Sequence, residues 1–399
     1  RYKEVIISTD VSDKTVAYVN EHMDTLSGIS VNEDMIRKYN YSEYFSSIIG
    51  YTGPISESEY TALHKKNKDY TQNDTVGKAG LEQYYETYLR GKNGEQKFYI
   101  DNVGRISEII SSTDSVAGDD LYLSIDADLQ KATYLALQNE IAAIVYSNIK
   151  SGEIPINDVY TALIGNSVIN TEHFSKAKAS DTEKNVLSVF KSRQKTTLGK
   201  IKQELTSSPE ALNTMSDEVL DEFTYIISML KDDQVLLKNE IDTSDSVYQK
   251  WKDQKISPKE YLNYCITQHW IDISQLNVDE KYADSTEVYD ALCKYILKNI
   301  KTDTEFSKII YQYMITRGEI SPRQLCLILF DQGVLDYDDA TVNKLKNGSL
   351  SPRDFLMKKI YNIEITPAQL ALEPCIGSCV VTDEKTGETV SYTHLTLPT

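Results

Sequence analysis

Gly118-Asp119-Asp120-Leu121-Tyr122-Leu123-Ser124-Ile125-Asp126-Ala127-Asp128-Leu129-Gln130 is the stretch at which the character of the chain changes. Leu121, Leu123 and Ile125 alternate with Tyr122, Ser124 and Asp126, which is the period of a half-buried strand, and Ala117 to Asp120 is turn chemistry, so a strand is predicted here. Upstream the pattern is mixed. Thr15 to Met23 and Ser56 to Lys66 have helical spacing, Ile29, Val31 and Met35-Ile36 suggest strand material, and candidate turn glycines stand at Gly50, Gly53, Gly77, Gly80, Gly91, Gly94, Gly104 and Gly118.

Downstream of Asp126, as far as about Glu373, long helical patterns take over and glycines become rare. Val288, Leu292, Tyr295 and Ile296 recur at helical spacing, as do Leu220, Phe223, Ile227 and Leu230, so each set predicts a core-facing stripe. Helix starts are signalled at Ser208-Pro209, Ser257-Pro258, Ser321-Pro322, Ser351-Pro352 and Thr366-Pro367, each a capping hydroxyl before a proline whose fixed φ suits the first helical position. Glu260, Gln324 and Gln369 stand three residues after their caps and complete candidate capping boxes. The Ser-Pro starts are unevenly spaced, and no solenoid period is read from them.

Composition narrows the function classes. The 399 residues carry 42 Lys+Arg against 60 Asp+Glu, a net charge of −18, and 40% are hydrophobic, enough to bury a sizeable core in two or three domains. So acidic a chain lacks the basic surface of a nucleic-acid binder. Five cysteines, Cys265, Cys293, Cys326, Cys375 and Cys379, are an odd number in a long chain and predict buried packing thiols rather than a disulfide framework. The histidines His22, His64, His173 and His269 have no companion at metal-ligand spacing, so neither a metal nor a cofactor is expected. No apolar run approaches the roughly 18 residues a bilayer span needs.

After Glu373, Gly377-Ser-Cys-Val380-Val-Thr-Asp383 is a short β run and Glu384 to Gly387 a turn. The end of the chain, from Val390 to Thr399, shows no periodicity and is read as a non-native tail that forms no second strand.

Six elements in order resemble a class B penicillin-binding protein. Ile49-Gly50-Tyr51-Thr52-Gly53 is similar to the family's IGYTG element, Val76-Gly77-Lys78-Ala79-Gly80-Leu81-Glu82 to its GxxGLE, and Leu89-Arg90-Gly91 with Gly94 to LRGxxG. Asn102-Val103-Gly104-Arg105 is similar to NxxGR, Gly118 to Gln130 (with Asp126) to GxDLxLTIDxxLQ, and Gly377 to Gly387 (with Asp383) to the first strand and turn of the transpeptidase domain. The resemblance implies an α+β pedestal, or dimerisation, domain over 1–130, an all-α insertion over 131–373, the start of a transpeptidase α/β domain over 374–389, and the tail over 390–399. In bottom-up terms these glycines are chain reversals, Glu82 suits a helix N-terminus, and Arg90 and Arg105 pair with carboxylates of the same domain or face a partner.

The resemblance further implies a parent peptidoglycan D,D-transpeptidase. It would be anchored by an upstream transmembrane helix on the extracytoplasmic face, act on stem peptides through a domain beyond this chain, and work with a membrane glycosyltransferase and other cell-wall synthesis proteins. The catalytic Ser-x-x-Lys, Ser-x-Asn and Lys-Thr-Gly are expected downstream. Lys385-Thr386-Gly387 spells the last of these but stands at a hairpin turn. Ser147–Lys150, Ser175–Lys178 and Ser228–Lys231 fit only a loose pattern, so no catalytic residue is expected in the chain. The rival readings are a stand-alone helical adaptor of the cell envelope and a β-lactam-binding enzyme with a divergent site.

Overall fold

A computed structural model describes residues 7–396 except 9, 24, 27, 30, 32–36, 101–105, 208–209, 277, 279–283 and 373–375. Two compact units emerge: 1–137 with 378–394, and 138–377 with 395–399.

The first unit is built of short elements. Helices α1 (Asp13–Glu21), α2 (Ser42–Ile49), α3 (Glu57–Lys66), α4 (Gly80–Tyr84) and α5 (Glu86–Leu89) alternate with strands β1 (Thr52–Pro54), β2 (Thr75–Gly77), β3 (Glu95–Ile100) and β4 (Ile106–Thr113). β1 pairs antiparallel with β2, Gly53 opposite Val76, and β3 pairs antiparallel with β4, Glu95 opposite Thr113, with two register shifts. The helix read at Ser56–Lys66 starts as expected, with Ser56 and Glu59 closing a full capping box. The helix read at Thr15–Met23 instead occupies Asp13–Glu21, because Ser12 accepts the Thr15 N–H and sets the start two residues earlier.

Three β readings need correction. Residues 121–126 form no strand: Leu121, Tyr122 and Leu123 are all exposed, Tyr122 at 89%, so neither face of the alternation finds a core to cover it. Ile29 and Val31 lie in irregular backbone, and Met35-Ile36 falls outside the described residues. At the other end of the chain β5 (Ile376–Thr382) is followed by a paired β6 (Thr389–Thr396), a strand that the sequence reading denied. Its lack of apolar alternation hid it. The inward residues of β6 are the buried polar Ser391 and Thr393, and the Ser391 hydroxyl is held by Gln130 and Thr133.

The second unit is helical. It takes most of α6 (Ala127–Ser151) and then α7 (Ile156–Gly165), α8 (Asp181–Thr206), α9 (Asp217–Asp232), α10 (Ser246–Lys252), α11 (Pro258–Thr267), α12 (Ser285–Ile300), α13 (Thr304–Thr316), α14 (Pro322–Asp331), α15 (Asp339–Asn347), α16 (Pro352–Tyr361) and α17 (Pro367–Leu370). Both predicted stripes are buried, through Val288, Leu292 and Ile296 and through Phe223, Ile227 and Leu230. Phe190 stacks on Tyr311 at 4.2 Å and Phe174 meets the same ring edge-on at 5.9 Å, an aromatic centre that ties α8 to α13. Ser257, Ser321, Ser351 and Thr366 cap their helices with proline following, whereas Ser208-Pro209 is outside the described residues. Gln324 and Gln369 close their boxes; Glu260 donates its N–H to Ser257 but its exposed carboxylate does not return the bond.

A fixed period exists after all, carried by backbone conformation. Gly318, Gly333, Gly348 and Ile363 all have φ > 0 and follow one another at 15-residue steps, and Gly152–Ser167 and Gln254–His269 repeat the same step. Two residues after the left-handed position comes an apolar side chain whose N–H reaches a carbonyl six residues back: Ile154 to Asn148, Ile169 to Leu163, Ile320 to Met314, Leu335 to Leu329, Leu350 to Lys344 and Ile365 to Lys359. The left-handed residue's own N–H returns to a carbonyl three residues back, Gly318 to Ile315, Gly333 to Phe330, Gly348 to Leu345 and Ile363 to Ile360, which is the inner bond of a Schellman closure, and the apolar residues that follow are buried except for half-buried Leu350. Four of these positions carry Ser, Gln, His or Ile instead of Gly, which is why no glycine period marks the repeat in the sequence.

Candidate functional site

Within the first unit, the residues quoted from the sequence converge on three backbone junctions. At the first, Gly50 ends α2 with φ 77°, and a Cβ there would lie 1.9 Å from the Ala79 carbonyl oxygen. Gly80 opens α4 with φ 58°, and its Cβ would lie 2.6 Å from the Ile48 oxygen. The two main chains touch, so any side chain at either position must part them. Gly77 is equally constrained by the Glu82 backbone at 2.1 Å, while Gly53 meets only the flexible Lys78 stem at 3.3 Å. Tyr51 holds the junction through its carbonyl, which accepts the Lys78 N–H, and leaves its ring exposed.

Glu82 lies buried at the start of α4. Arg37 Nε approaches Glu82 Oε1 at 3.1 Å and the Tyr39 hydroxyl stands 3.4 Å from the same oxygen, while that hydroxyl accepts the Thr52 N–H at 3.0 Å. The carboxylate thus ties the segment before α2 to β1 and α4. Lys78, beside it, donates to Glu59, and together with the Ser56 hydroxyl and N–H it holds the Glu59 carboxyl down at about 2.

At the second junction Arg90 lies 3.8 Å over the Tyr70 ring, with Nη2 2.6 Å from Asp74 and 3.0 Å from the Asp69 carbonyl. Burial pushes the Asp74 carboxyl up, but hydrogen bonds from Thr71 and from Arg90 outweigh it and hold the group below its ordinary value. Tyr70 in turn donates to Glu86, whose second oxygen accepts the Gly77 N–H at 2.7 Å. Arg90 therefore pairs within its own domain. Gly91, with φ 72°, packs against the Val116 carbonyl. Gly104 and Arg105 lie outside the described residues.

At the third junction Asp126 caps α6 by accepting the Leu129 N–H at 2.8 Å, and its own N–H donates to the Val390 carbonyl. One turn on, the fully buried Gln130 uses its whole amide. Nε2 donates to the Tyr44 and Tyr392 carbonyls at 2.9 Å, and Oε1 accepts from the Ser391 hydroxyl at 2.9 Å and the Tyr392 N–H at 3.0 Å. Thr133 adds a 2.6 Å hydrogen bond to Ser391. At the far end of the hairpin Asp383 accepts the Lys385 and Thr386 N–H groups and Gly387 turns with φ 75°. Lys385-Thr386-Gly387 is a turn, not a strand edge.

Sequence reasoning missed Arg37, Tyr39, Tyr70, Asp74 and Glu86, the partners that give Glu82 and Arg90 their roles. They lie in unmarked stretches, and only the fold brings them to the glycine-rich elements.

Ser147, Ser175 and Ser228 are exposed on helices or a helical turn of the second unit, and burial pushes the Cys265 and Cys326 thiols up to about 12. Among the described residues no group of three His, Cys, Asp or Glu is placed to hold a metal ion, and no helix is long and apolar enough to cross a membrane. Cys375 lies outside the described residues.

Comparison with known proteins bears on the first two junctions. Residues 1–123 match the Penicillin-binding Protein dimerisation domain. The chain is 29% identical over 156 residues to Peptidoglycan D,D-transpeptidase MrdA of Salmonella typhimurium (strain SL1344), covering 39% of this chain and 25% of that protein. It is 34% identical over 142 residues to Penicillin-binding protein 2A of Bacillus subtilis (strain 168), covering 35% of this chain and 20% of that one. Among solved structures, penicillin-binding protein 2B from Streptococcus pneumoniae (strain 5204) shares 29% identity over 36% of this chain and 23% of its own, at a TM-score of 0.24. The N-terminal part of the chain is thus similar to the pedestal, or dimerisation, region of class B penicillin-binding proteins. The match spans about a quarter of the length of the curated relatives.

Proposed function

We propose that this chain is the non-catalytic pedestal portion, carrying an inserted helical domain, of a peptidoglycan D,D-transpeptidase. In this reading the pedestal covers 1–130, the insertion 131–373 and the opening of the transpeptidase domain 374–389. The parent protein acts on stem peptides at the extracytoplasmic face of the membrane, anchored by a helix upstream of Arg1 and working beside a membrane glycosyltransferase. One observation carries the reading. The Ser124 hydroxyl, near the end of the pedestal-like sequence, donates to the Thr389 carbonyl at 2.7 Å, so the polypeptide leaves the first unit, builds a helical unit and returns to the strand pair whose turn resembles the opening of a transpeptidase sheet. Exposed helical serines and the high-pKa buried thiols support a scaffolding role for what lies between.

Incubating the 399-residue chain with a fluorescent penicillin, followed by denaturing electrophoresis, tests it. No labelled band is expected, because acylation needs a serine activated by a neighbouring base. A band that disappears on Ser147→Ala, Ser175→Ala or Ser228→Ala would overturn the proposal in favour of a divergent enzyme.

A further inference from the structure

In a chain with 60 acidic and 42 basic residues, the segment 184–203 holds Lys184, Lys191, Arg193, Lys195, Lys200 and Lys202 and no Asp or Glu. Solvated helix faces ordinarily intersperse both signs. Arg193 turns inward to Glu218, but Lys191, Lys195 and Lys202 face a groove between α8 and α12 of about 510 Å³, completed by Gln194, Leu198, Gly199, Leu297 and Lys301. No carboxylate lines it, and among the described residues none of these four lysines has an ion-pair partner.

Gly199 supplies an independent observation. It lies inside a 26-residue helix, where glycine is less favourable than alanine, yet its φ is not positive and a Cβ would meet nothing within 4 Å. Neither backbone conformation nor packing asks for glycine here. What its lack of side chain does is keep the groove floor open between Lys195 and Lys202.

We propose that this groove binds a linear, base-free phosphodiester polyanion. Lys191 and Lys195 are separated by about 6 Å along the helix axis and Lys195 and Lys202 by about 10 Å, a row of point charges suited to single negative charges strung along one chain. Single-stranded nucleic acid would lack a stacking partner, since no aromatic side chain lines the groove.

The full chain can be titrated against a fluorescein-tagged synthetic poly(glycerol phosphate) oligomer and followed by anisotropy. Binding should weaken steeply between about 50 mM and about 200 mM salt as counterion release demands. Lys191→Glu/Lys195→Glu/Lys202→Glu should lose about tenfold or more in affinity, and Gly199→Leu, which fills the groove without touching a charge, should lose comparably. Lys65→Glu/Lys66→Glu/Lys68→Glu, with the same change in net charge but in the first unit, should bind like the parent. Circular dichroism of each variant verifies that its helices remain. The proposal is overturned by failure of the parent chain to bind, by equal loss in the two charge-reversed variants, or by binding indifferent to Gly199→Leu. It is likewise overturned if oligo(dT) or anionic phosphatidylglycerol vesicles bind as tightly as the oligomer or more so.

Discussion

Gln130 shows how one side chain can hold distant pieces of sequence. A buried amide has two donors and two strong acceptor directions, and here each meets a partner: two carbonyls, one hydroxyl and one N–H. Replacing it with alanine strands several buried polar groups, which costs about 1–3 kcal/mol for each group left without a partner or water. Gln130→Ala should therefore lower the melting temperature of the chain markedly. Gln130→Glu should be worse than Gln130→Leu, because a carboxylate can only repel the Tyr44 and Tyr392 carbonyls; melting curves of the three variants decide the order. Asp126 and Gln130 were legible as residues of a recognisable motif, but Asp126 was read as part of a strand and not as the cap it forms. Their downstream partners were not legible, since Val390 to Tyr392 carry no apolar pattern.

A second residue-scale prediction concerns Glu222 in the helical unit. Burial, reinforced by the neighbouring Glu218 and Asp221 and opposed by Lys200 and Arg193, pushes its carboxyl up to about 8, and its Oε2 has no hydrogen-bond partner. A carboxyl raised on folding keeps its proton in the native state while the unfolded chain has released it. Stability from this group is therefore fully present below the unfolded value of about 4.3 and is lost as pH rises toward 8. The full span amounts to a few kcal/mol, at about 1.4 kcal/mol per pH unit. Unfolding midpoints should fall between about pH 5 and pH 8, and Glu222→Gln should flatten the profile. A variant with an unchanged slope would place the pH dependence elsewhere.

At the scale of elements, the helices were legible where their starts were written in side chains and obscure where their ends were written in backbone angles. Ser257, Ser321, Ser351 and Thr366 announce four starts. The ends use left-handed residues that are glycine at only some positions, so the 15-residue step escapes a reading based on Ser-Pro pairs. Strands fared worse for a related reason. The alternation at 121–125 has no partner face, whereas β6, lacking alternation, gains its place through polar clamping. The closures make a prediction of opposite signs. Ile363 is β-branched and held at φ 58°, a conformation costing an L-residue about 1–2 kcal/mol, and it is only half-buried. Ile363→Gly should stabilise the chain by up to about 1 kcal/mol after the added entropy of the unfolded glycine. Gly348→Ile, at the equivalent position one step earlier, should destabilise by about the same amount or more. Denaturant titrations with unchanged m-values would register both; a loss of stability in Ile363→Gly would mean that the side chain's contacts outweigh its strain.

At the scale of the molecule, the second unit has what an independent domain needs. Its aromatic centre joins Phe174, Phe190 and Tyr311, and Leu163, Ile201, Phe223, Ile296, Ile310 and Leu325 are fully or almost fully buried around their own helices. The closure residues Ile154, Ile169, Ile320, Leu335 and Ile365 are buried, and Glu218 ties α8 to the end of α13 by accepting hydrogen bonds from Arg193 at 2.8 and 2.9 Å and Arg317 at 2.6 Å. Several of these contacts join elements far apart in sequence, Phe174 and Phe190 with Tyr311 and Glu218 with Arg317, so the unit closes only when both ends of it are in place. Residues 127–372, excised with α6 entire, should give a helical far-UV spectrum and a single cooperative melt within a few degrees of the corresponding transition in the full chain. Removing the Glu218 ties should lower that melt equally in both, since Glu218→Ala leaves Arg193 half-buried beside Glu319 with its main partner gone. A coil-like spectrum, or a Glu218→Ala effect confined to the full chain, would mean that the helical unit depends on the rest of the polypeptide for its fold.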